Sequence, residues 1–360
     1  MNHPGGLAPD YPTARTRFLA AATAAGASIE HHPIPEVGPD GEELAVDVAW
    51  IGPSDPDRLV LVVSGTHGVE GYAGSMCQSR WLEANPSPAL PDGLALVVLH
   101  AHNPYGFAWV RRVNEDNVDL NRNFVDFEHP PENPRYDDLA DLLAPADWSA
   151  ESQHRTSSDL IDWAVEHGME AMQEAVSGGQ YHHPDGLFYG GTGPVRSHQI
   201  LEELVTTRLQ GAGRVAILDL HTGLGERGEV EIISSEVLGS PAYDRAVEWW
   251  GERVASNVEG GSVSATLTGE WMSTARGWLQ PAEVSAVALE WGTIDSISVA
   301  QALRADNWLH CHGDPTGPDA PAIKAELRRA FAPVDDPEWD ELIYTCFEGV
   351  LTRTLEVLGG

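Results

Sequence analysis

The sequence predicts an α/β fold, a single domain whose mostly parallel or mixed central sheet carries helices on both faces. Two observations predict it. Residues 59–63, 94–99, 215–220 and 285–289 are short, continuous apolar runs, the pattern of strands buried on both faces. Longer segments with helical spacing lie between them, and such alternation builds a sheet sandwiched between helices. A third observation points to function, because three of these runs end in polar or Gly-rich sequence, where open α/β sheets place their chemistry.

In chain order, residues 1–10 are expected to be loose, and 13–25 form an alanine-rich helix that stops at Gly26. Residues 43–50 alternate apolar and polar side chains and predict a half-exposed strand. The run 59–63 predicts the first buried strand, followed by the turn Gly65-Thr66-His67-Gly68-Val69-Glu70-Gly71 and the body of a helix over 76–82. The run 94–99 leads into His100 and His102, and then into a dense polar loop over 109–124. Residues 126–148, rich in Pro and Asp, predict irregular chain with a short helix near Leu139. Helical spacing over 157–176 predicts a helix on the outside of the sheet. Residues 178–194 form a Gly- and aromatic-rich loop of the length that usually carries function. A helix over 197–209, the buried strand 215–220, a strand over 229–234 and a helix over 243–258 follow. The strand 285–289 leads into Glu290-Trp291-Gly292, and 294–358 is largely helical. No repeat, low-complexity tract or linker interrupts the chain, so one domain over 1–360 is expected, with 125–195 as an insertion that sets substrate specificity.

Composition narrows the function classes. At 42% hydrophobic and 21% charged residues the chain is a soluble globular protein. A formal net charge of −34 disfavours nucleic acid and anionic membranes, since both partners would be negative. An ordinary acidic enzyme is the simpler reading of that charge, and a saline environment is the other. Lys324 is the sole lysine beside 20 arginines, which reads as compositional bias. Three cysteines, Cys77, Cys311 and Cys346, are too scattered for a disulfide framework or a cysteine zinc site. The first residues lack the basic and apolar regions of a signal peptide, and no run of about 18 apolar residues exists to span a membrane. A cytoplasmic protein is expected; oligomeric state is not legible.

The strand ends carry the chemistry. His67 and Glu70 stand three positions apart, where one turn brings both to the same side. His221 closes a second buried strand, and Glu290 closes a third. Two histidines and a carboxylate form a metal site with a coordination position open to water or substrate, and a further carboxylate beside it can serve as general base. The same donor set describes the mononuclear iron oxygenases, so these residues alone leave zinc and iron open. His31-His32, His182-His183 and His310-x-His312 also have metal-compatible spacing, but none has a comparable carboxylate partner, and they read as solvated or structural. Trp249-Trp250 and the other tryptophans at helical positions read as core.

Four stretches in order, Gly65-Thr66-His67-Gly68-Val69-Glu70-Gly71, Asp119-Leu120-Asn121-Arg122-Asn123-Phe124, Asp219-Leu220-His221-Thr222 and Leu289-Glu290-Trp291-Gly292, resemble the signatures of the zinc carboxypeptidase superfamily. The resemblance is to its bacterial metallocarboxypeptidase-like branch, related to the succinylglutamate desuccinylases and aspartoacylases, and covers about residues 45–310. It implies a metallocarboxypeptidase-like catalytic domain with one zinc ion held by His67, Glu70 and His221. Glu290 matches the residue that activates the attacking water and returns its proton to the leaving nitrogen. Arg112 matches the arginine that polarises the scissile carbonyl, with Arg111 adjacent as the other choice. Asn121 and Arg122 match the pair that grips a terminal carboxylate, a task suited to a planar guanidinium. Asp219 reads as a structural group or as an orienting partner of His221.

The implied activity is cleavage of an amide bond next to a free carboxylate, in a small peptide or, alternatively, in an N-acyl amino acid. No motif fixes the tyrosine that carboxypeptidases hold over the substrate. Tyr189 is the candidate, with Tyr181 behind it, and an aromatic packed beneath a loop explains either residue equally well. A catalytically inactive binding protein on this scaffold is the remaining alternative, against which stand Glu290 and both arginines.

Overall fold

The four apolar runs form the middle of one eight-stranded sheet. The computed structural model describes residues 5–258 and 261–360, so part of the expected loose N-terminus, residues 1–4, lies outside the described residues. The strands are β1 (Ser28–Val37), β2 (Glu43–Ile51), β3 (Arg58–Ser64), β4 (Leu94–His100), β5 (Arg214–Arg227), β6 (Val230–Ser234), β7 (Val254–Ser256) and β8 (Glu283–Gly292). Their order is β1-β2-β4-β3-β5-β8-β6-β7. β4, β3, β5 and β8 run parallel, while β2 joins β4, and β6 joins β8, in antiparallel register. The sheet is therefore mixed.

Burial explains why the centre is parallel and apolar. Leu59, Val60, Leu61, Val62 and Val63 are fully buried, and each contributes about 1.5–3 kcal/mol by leaving water. Alternate residues serve opposite faces. Leu59, Leu61 and Val63 join Val97, Leu99, Ile217 and Trp271 on one side. Val60 and Val62 join Val98, Leu218, Trp249 and Trp339 on the other. Helices cover both faces, as the sequence predicts. From β3 the chain crosses to β4 on one side, while β5 lies on the other. That reversal opens a crevice at the carboxyl ends of β3 and β5, where ligands of open α/β sheets bind.

Several elements differ from expectation. β2 is buried from Leu44 to Ile51 because it lies inside the sheet between β1 and β4. Its polar residue Asp47 misleads the alternation pattern; it is fully buried but bonded by Arg15 Nε at 2.7 Å and His31 Nδ1 at 2.6 Å. β1 has no counterpart in the sequence reading, since Pro33 and Pro35 argue against a strand; it is an edge strand, where proline is tolerated. The helix expected over 157–176 is two, Ala150–His167 and Met169–Ser177, broken at Gly168 with φ +94°. The first of these lies against the helix Ser296–Cys311, whose Arg304 donates to Thr156 Oγ1 at 2.6 Å, rather than on the sheet. The helix expected over 243–258 stops at Trp250, and β7 occupies part of the remainder. A helix at Trp271–Trp278 was not anticipated.

The helix Gly71–Ala84 packs on β3 through Gly74, where an added Cβ would stand 2.6 Å from Ser64 Cβ. At an open helical position Gly→Ala stabilises by about 1 kcal/mol. At Gly74 overpacking decides the sign, and Gly74→Ala is expected to destabilise by about 1–3 kcal/mol in urea unfolding. A variant more stable than the parent would contradict this packing.

Candidate metal centre

β3 ends at Ser64, and Gly65 at φ +73° swings the chain out of the sheet. The turn is pinned by His102 N–H donating to the Ser64 carbonyl (2.9 Å) and Asn103 N–H to the Gly65 carbonyl (2.8 Å). A short 3₁₀ turn, Gly68–Glu70, then leads into the helix Gly71–Ala84. Gly68 has no room for a side chain, because a Cβ would lie 2.0 Å from the Gly106 carbonyl carbon. The turn places His67 and Glu70 on one side, facing His221 on β5. Glu70 Oε1 lies 2.9 Å from His67 Nδ1, and Oε2 lies 2.9 Å from His221 Nδ1. One ligand atom from each residue falls within 4.8 Å of the other two, and all three residues are buried. Thr222 N–H also donates to Glu70 Oε2, at 3.1 Å.

The far sides of both rings meet carboxylates. His221 Nε2 is 2.7 Å from Asp219 Oδ2, and that carboxylate also accepts from Thr66 Oγ1 (2.9 Å) and Trp271 Nε1 (2.6 Å). His67 Nε2 is 3.2 Å from Asp119 Oδ1. A carboxylate at Nε2 holds the hydrogen there and leaves the Nδ1 lone pair for a metal. Arg112 Nη2, which can only donate, stands 2.7 Å from the same His67 Nε2. The two neighbours of Nε2 thus favour opposite tautomers, and a cation held at Nδ1 would decide for Asp119.

Charge concentrates at the same place. Glu70, Asp119, Asp219 and Glu290 are buried together with Arg122, and Arg112 stands half-buried beside them. Burial alone would raise Glu70, but His67 and His221 hold it well below the ordinary carboxylate range. Burial would lower His221, yet Asp219 and Glu70 raise it well above the ordinary imidazole range. Asp119 is likewise held low against burial, chiefly by Arg112. The donor set and its burial fit a divalent metal.

Glu290 pairs in register with His221 across β5 and β8, so both side chains leave the same face of the sheet. Its Oε1 accepts from Leu224 N–H at 3.0 Å; burial, and then the charge of Glu70, push it up to about 8. Arg112 faces the centre, donating from Nε to Asp119 Oδ2 (2.9 Å) and from Nη1 to Glu70 Oε1 (3.3 Å). Arg111 turns away, to Asp306 Oδ2 at 3.1 Å.

Asn121 and Arg122 follow Asp119 on a 3₁₀ turn, Leu120–Arg122. Asn121 Oδ1 is buried without a hydrogen-bond partner, and an orphaned polar group beside such a centre calls for one from a ligand. Arg122 donates from Nε and Nη2 to the Ser177 carbonyl and from Nη1 to the Asn121 carbonyl. One N–H remains on each terminal nitrogen. Tyr181 directs its hydroxyl to the Arg122 carbonyl at 2.7 Å, away from a lid role. Tyr189 holds the loop by its backbone, its carbonyl accepting from Asp119 N–H at 2.8 Å. The aromatic ring lying against both arginines is Phe188, 5.2 Å from Arg112 Cζ and 5.6 Å from Arg122 Cζ, with its own φ at +55°.

Sequence reasoning assigned no role to Asp119, Thr66, Trp271 or Phe188. Asp119 and Thr66 sit inside two of the four quoted stretches; no local signal marks Trp271 or Phe188. The remaining histidine pairs are structural or solvated, as expected. His31 bonds Asp47, His183 bonds Asp137 at 2.8 Å, and His310 bonds Lys324. Among the described residues the other cluster of potential ligands, Asp126, Glu128 and His129, is exposed.

Residues 7–345 match the model of the family described as "Protein of unknown function (DUF2817)", and the chain belongs to that family. None of the curated proteins matches it. Similar solved structures include carboxypeptidase A of Helicoverpa armigera, at 12% identity and TM-score 0.48, covering 91% of this chain and 75% of that one. A succinylglutamate desuccinylase of Chromobacterium violaceum matches at 16% identity and TM-score 0.39, covering 84% and 74%. An aspartoacylase family protein of Mesorhizobium loti matches at 15% identity and TM-score 0.38, covering 81% and 68%. These are the enzyme classes that the sequence motifs resemble. All three scores lie below 0.5, and the functional reading rests on the side chains of the centre.

Replacing a carboxylate behind either ring should weaken metal binding without removing a ligand. Asp219→Asn and Asp119→Asn are each expected to lower zinc affinity about 10- to 100-fold in competition with a chromogenic chelator. Unchanged affinity in both would contradict the orienting role.

Proposed function

We propose that this member of the DUF2817 family is a zinc-dependent hydrolase that cleaves an amide bond next to a free carboxylate. The observation that carries this reading is the buried set of His67, Glu70 and His221 with Glu290 and Arg112 beside it. Both histidines present Nδ1 and are backed at Nε2 by carboxylates, an arrangement that suits zinc. Zinc supplies Lewis acidity at such a site, bringing the pKa of water to about 7 and offsetting the charge of Glu70.

The chain's own residues divide the remaining work. Glu290 takes a proton from the attacking water and later gives it to the leaving nitrogen, a task suited to a carboxyl group whose pKa lies near neutrality. Arg112 donates to the carbonyl oxygen as negative charge develops there. Arg122, through its two remaining N–H groups, and Asn121, through its Nδ2 amide, hold the substrate carboxylate, while the unpartnered Asn121 Oδ1 accepts from a substrate donor. Tyr189 contributes from the loop above. Residues 125–195, which cover Arg122 through Ser177 and Phe188, form the segment that selects the substrate.

Two substrate classes share these groups, C-terminal residues of short peptides and N-acyl amino acids. The enclosure of Arg122 by Ser177 and Phe188 favours the smaller N-acyl amino acids as a second reading. Three free cysteines support the cytoplasm as its compartment, and among the described residues no helix is long and apolar enough to cross a membrane.

A panel of N-blocked dipeptides and N-acetyl, N-succinyl and N-benzoyl amino acids is expected to reveal turnover that chelation abolishes and zinc restores. On the best substrate Glu290→Gln should lower kcat about 10²- to 10⁴-fold while retaining zinc. Wild-type turnover in Glu290→Gln, or iron with oxygen-dependent turnover, would sink this mechanism.

A further inference from the structure

Arg112 sits on a turn of unusual backbone. Val110, two residues before it, has φ +51°, a conformation rarely adopted by a β-branched residue. Such a conformation persists only where its surroundings over-determine it. Beneath the turn lies a buried charge cluster that the mechanism does not use. Arg111 donates to Asp306 Oδ2 (3.1 Å), to Asn117 Oδ1 (3.0 Å) and, from its backbone, to the Gly106 carbonyl (2.7 Å). The ammonium of Lys324 ion-pairs with the same Asp306, lies 3.3 Å from the Val110 carbonyl oxygen, and stands 2.7 Å from His310 Nε2. An ammonium has three N–H donors, and three acceptors converge on this one. A planar guanidinium fits that arrangement poorly, which accounts for a lysine here in a chain whose other 20 basic residues are arginine.

The cluster is enclosed, with Arg111, Asp306 and Lys324 side chains 3%, 4% and 15% exposed. Burial pulls the lysine down to about 8 against the attraction of Asp306. Asp306 and His310 belong to the helix Ser296–Cys311, and Lys324 belongs to the helix Ala320–Phe331. Two helices therefore grip the turn from below. From above, the Arg111 and Arg112 carbonyls accept N–H groups of Val69 (2.7 Å) and Gly68 (3.1 Å), inside the turn that carries His67 and Glu70.

We propose that Lys324 is a positioning residue: through Val110 and Asp306 it clamps the turn that aims Arg112 at the metal centre. The inference rests on the role of Arg112 proposed above. Lys324 touches neither substrate nor metal and acts through the backbone it holds. Breaking the clamp leaves Arg112 in the chain but removes the constraint that selects its direction.

The test is a double-mutant cycle on the best substrate of the amide panel, using full-length zinc-loaded Lys324→Met, Arg112→Met and the combined variant. Lys324→Met is expected to lower kcat about tenfold, and to add nothing once Arg112 is gone. KM should stay within about twofold, since the loss belongs to the transition state. Hydrogen exchange supplies a readout independent of turnover. Amides of Gly68, Val69 and Arg111 should exchange faster in metal-free Lys324→Met, while those of β3 and β5 keep their protection. Losses that multiply in the combined variant, or unchanged exchange at those three amides, would overturn the proposal. If Arg112→Met alone leaves kcat unchanged, the role of Arg112 fails, while the exchange result still decides whether the clamp exists. Lys324→Leu, which likewise has no donor for the Val110 carbonyl, replaces Lys324→Met should the latter not fold, with the same outcomes deciding.

Discussion

Glu70 is a buried carboxylate around which two imidazole Nδ1 atoms, a backbone N–H and a guanidinium must gather at once, and the rest of the centre follows from that constraint. A buried charge without such partners would cost several kcal/mol. Its partners come from separate parts of the chain: His67 from its own turn, His221 and Thr222 from β5, Arg112 from the polar loop. They meet only in one register of β3 against β5, with Val63 opposite Asp219 and Ser64 opposite Leu220. A slip of one residue would carry His221 to the opposite face. The strand pairing that builds the core thus also brings the candidate ligands together.

The interior and the surface carry opposite electrostatic tasks. The chain as a whole bears −34 charges, a field that repels anionic substrates at long range. Screening confines that field to about 8 Å at physiological ionic strength. In the proposed reaction, recognition of a carboxylate would therefore fall to groups in direct contact, and both Arg122 and Arg112 lie against Phe188. Asp119 couples them to the metal side, since it meets both Arg112 and His67. One short loop thereby joins Arg112 to His67 through a single carboxylate.

His67, Glu70, His221 and Glu290 were legible in the sequence because each follows or closes an apolar strand, a signal contained within a few residues. The mixed sheet with helices on both faces was legible for the same reason. The choice between Arg111 and Arg112 was not, because it depends on the backbone of Val110 and on Asp306, 195 positions from Arg111. The buttressing of Asp219 by Trp271 spans 52 positions. Lys324 looked like a residue of composition, and only the convergence of three acceptors gives it a task. β2 was misread because Asp47 is a polar residue made tolerable by partners on two other elements. Local pattern reaches what one element decides by itself; pairings between distant elements require the fold.

The centre itself is tested most directly by a crystal structure of the zinc-loaded protein with anomalous data on both sides of the zinc edge. The account predicts one ion with His67 Nδ1, His221 Nδ1 and a Glu70 oxygen at about 2.0–2.2 Å. An ion bound elsewhere, ligation through Nε2, or the three residues apart with no shared ion would contradict it.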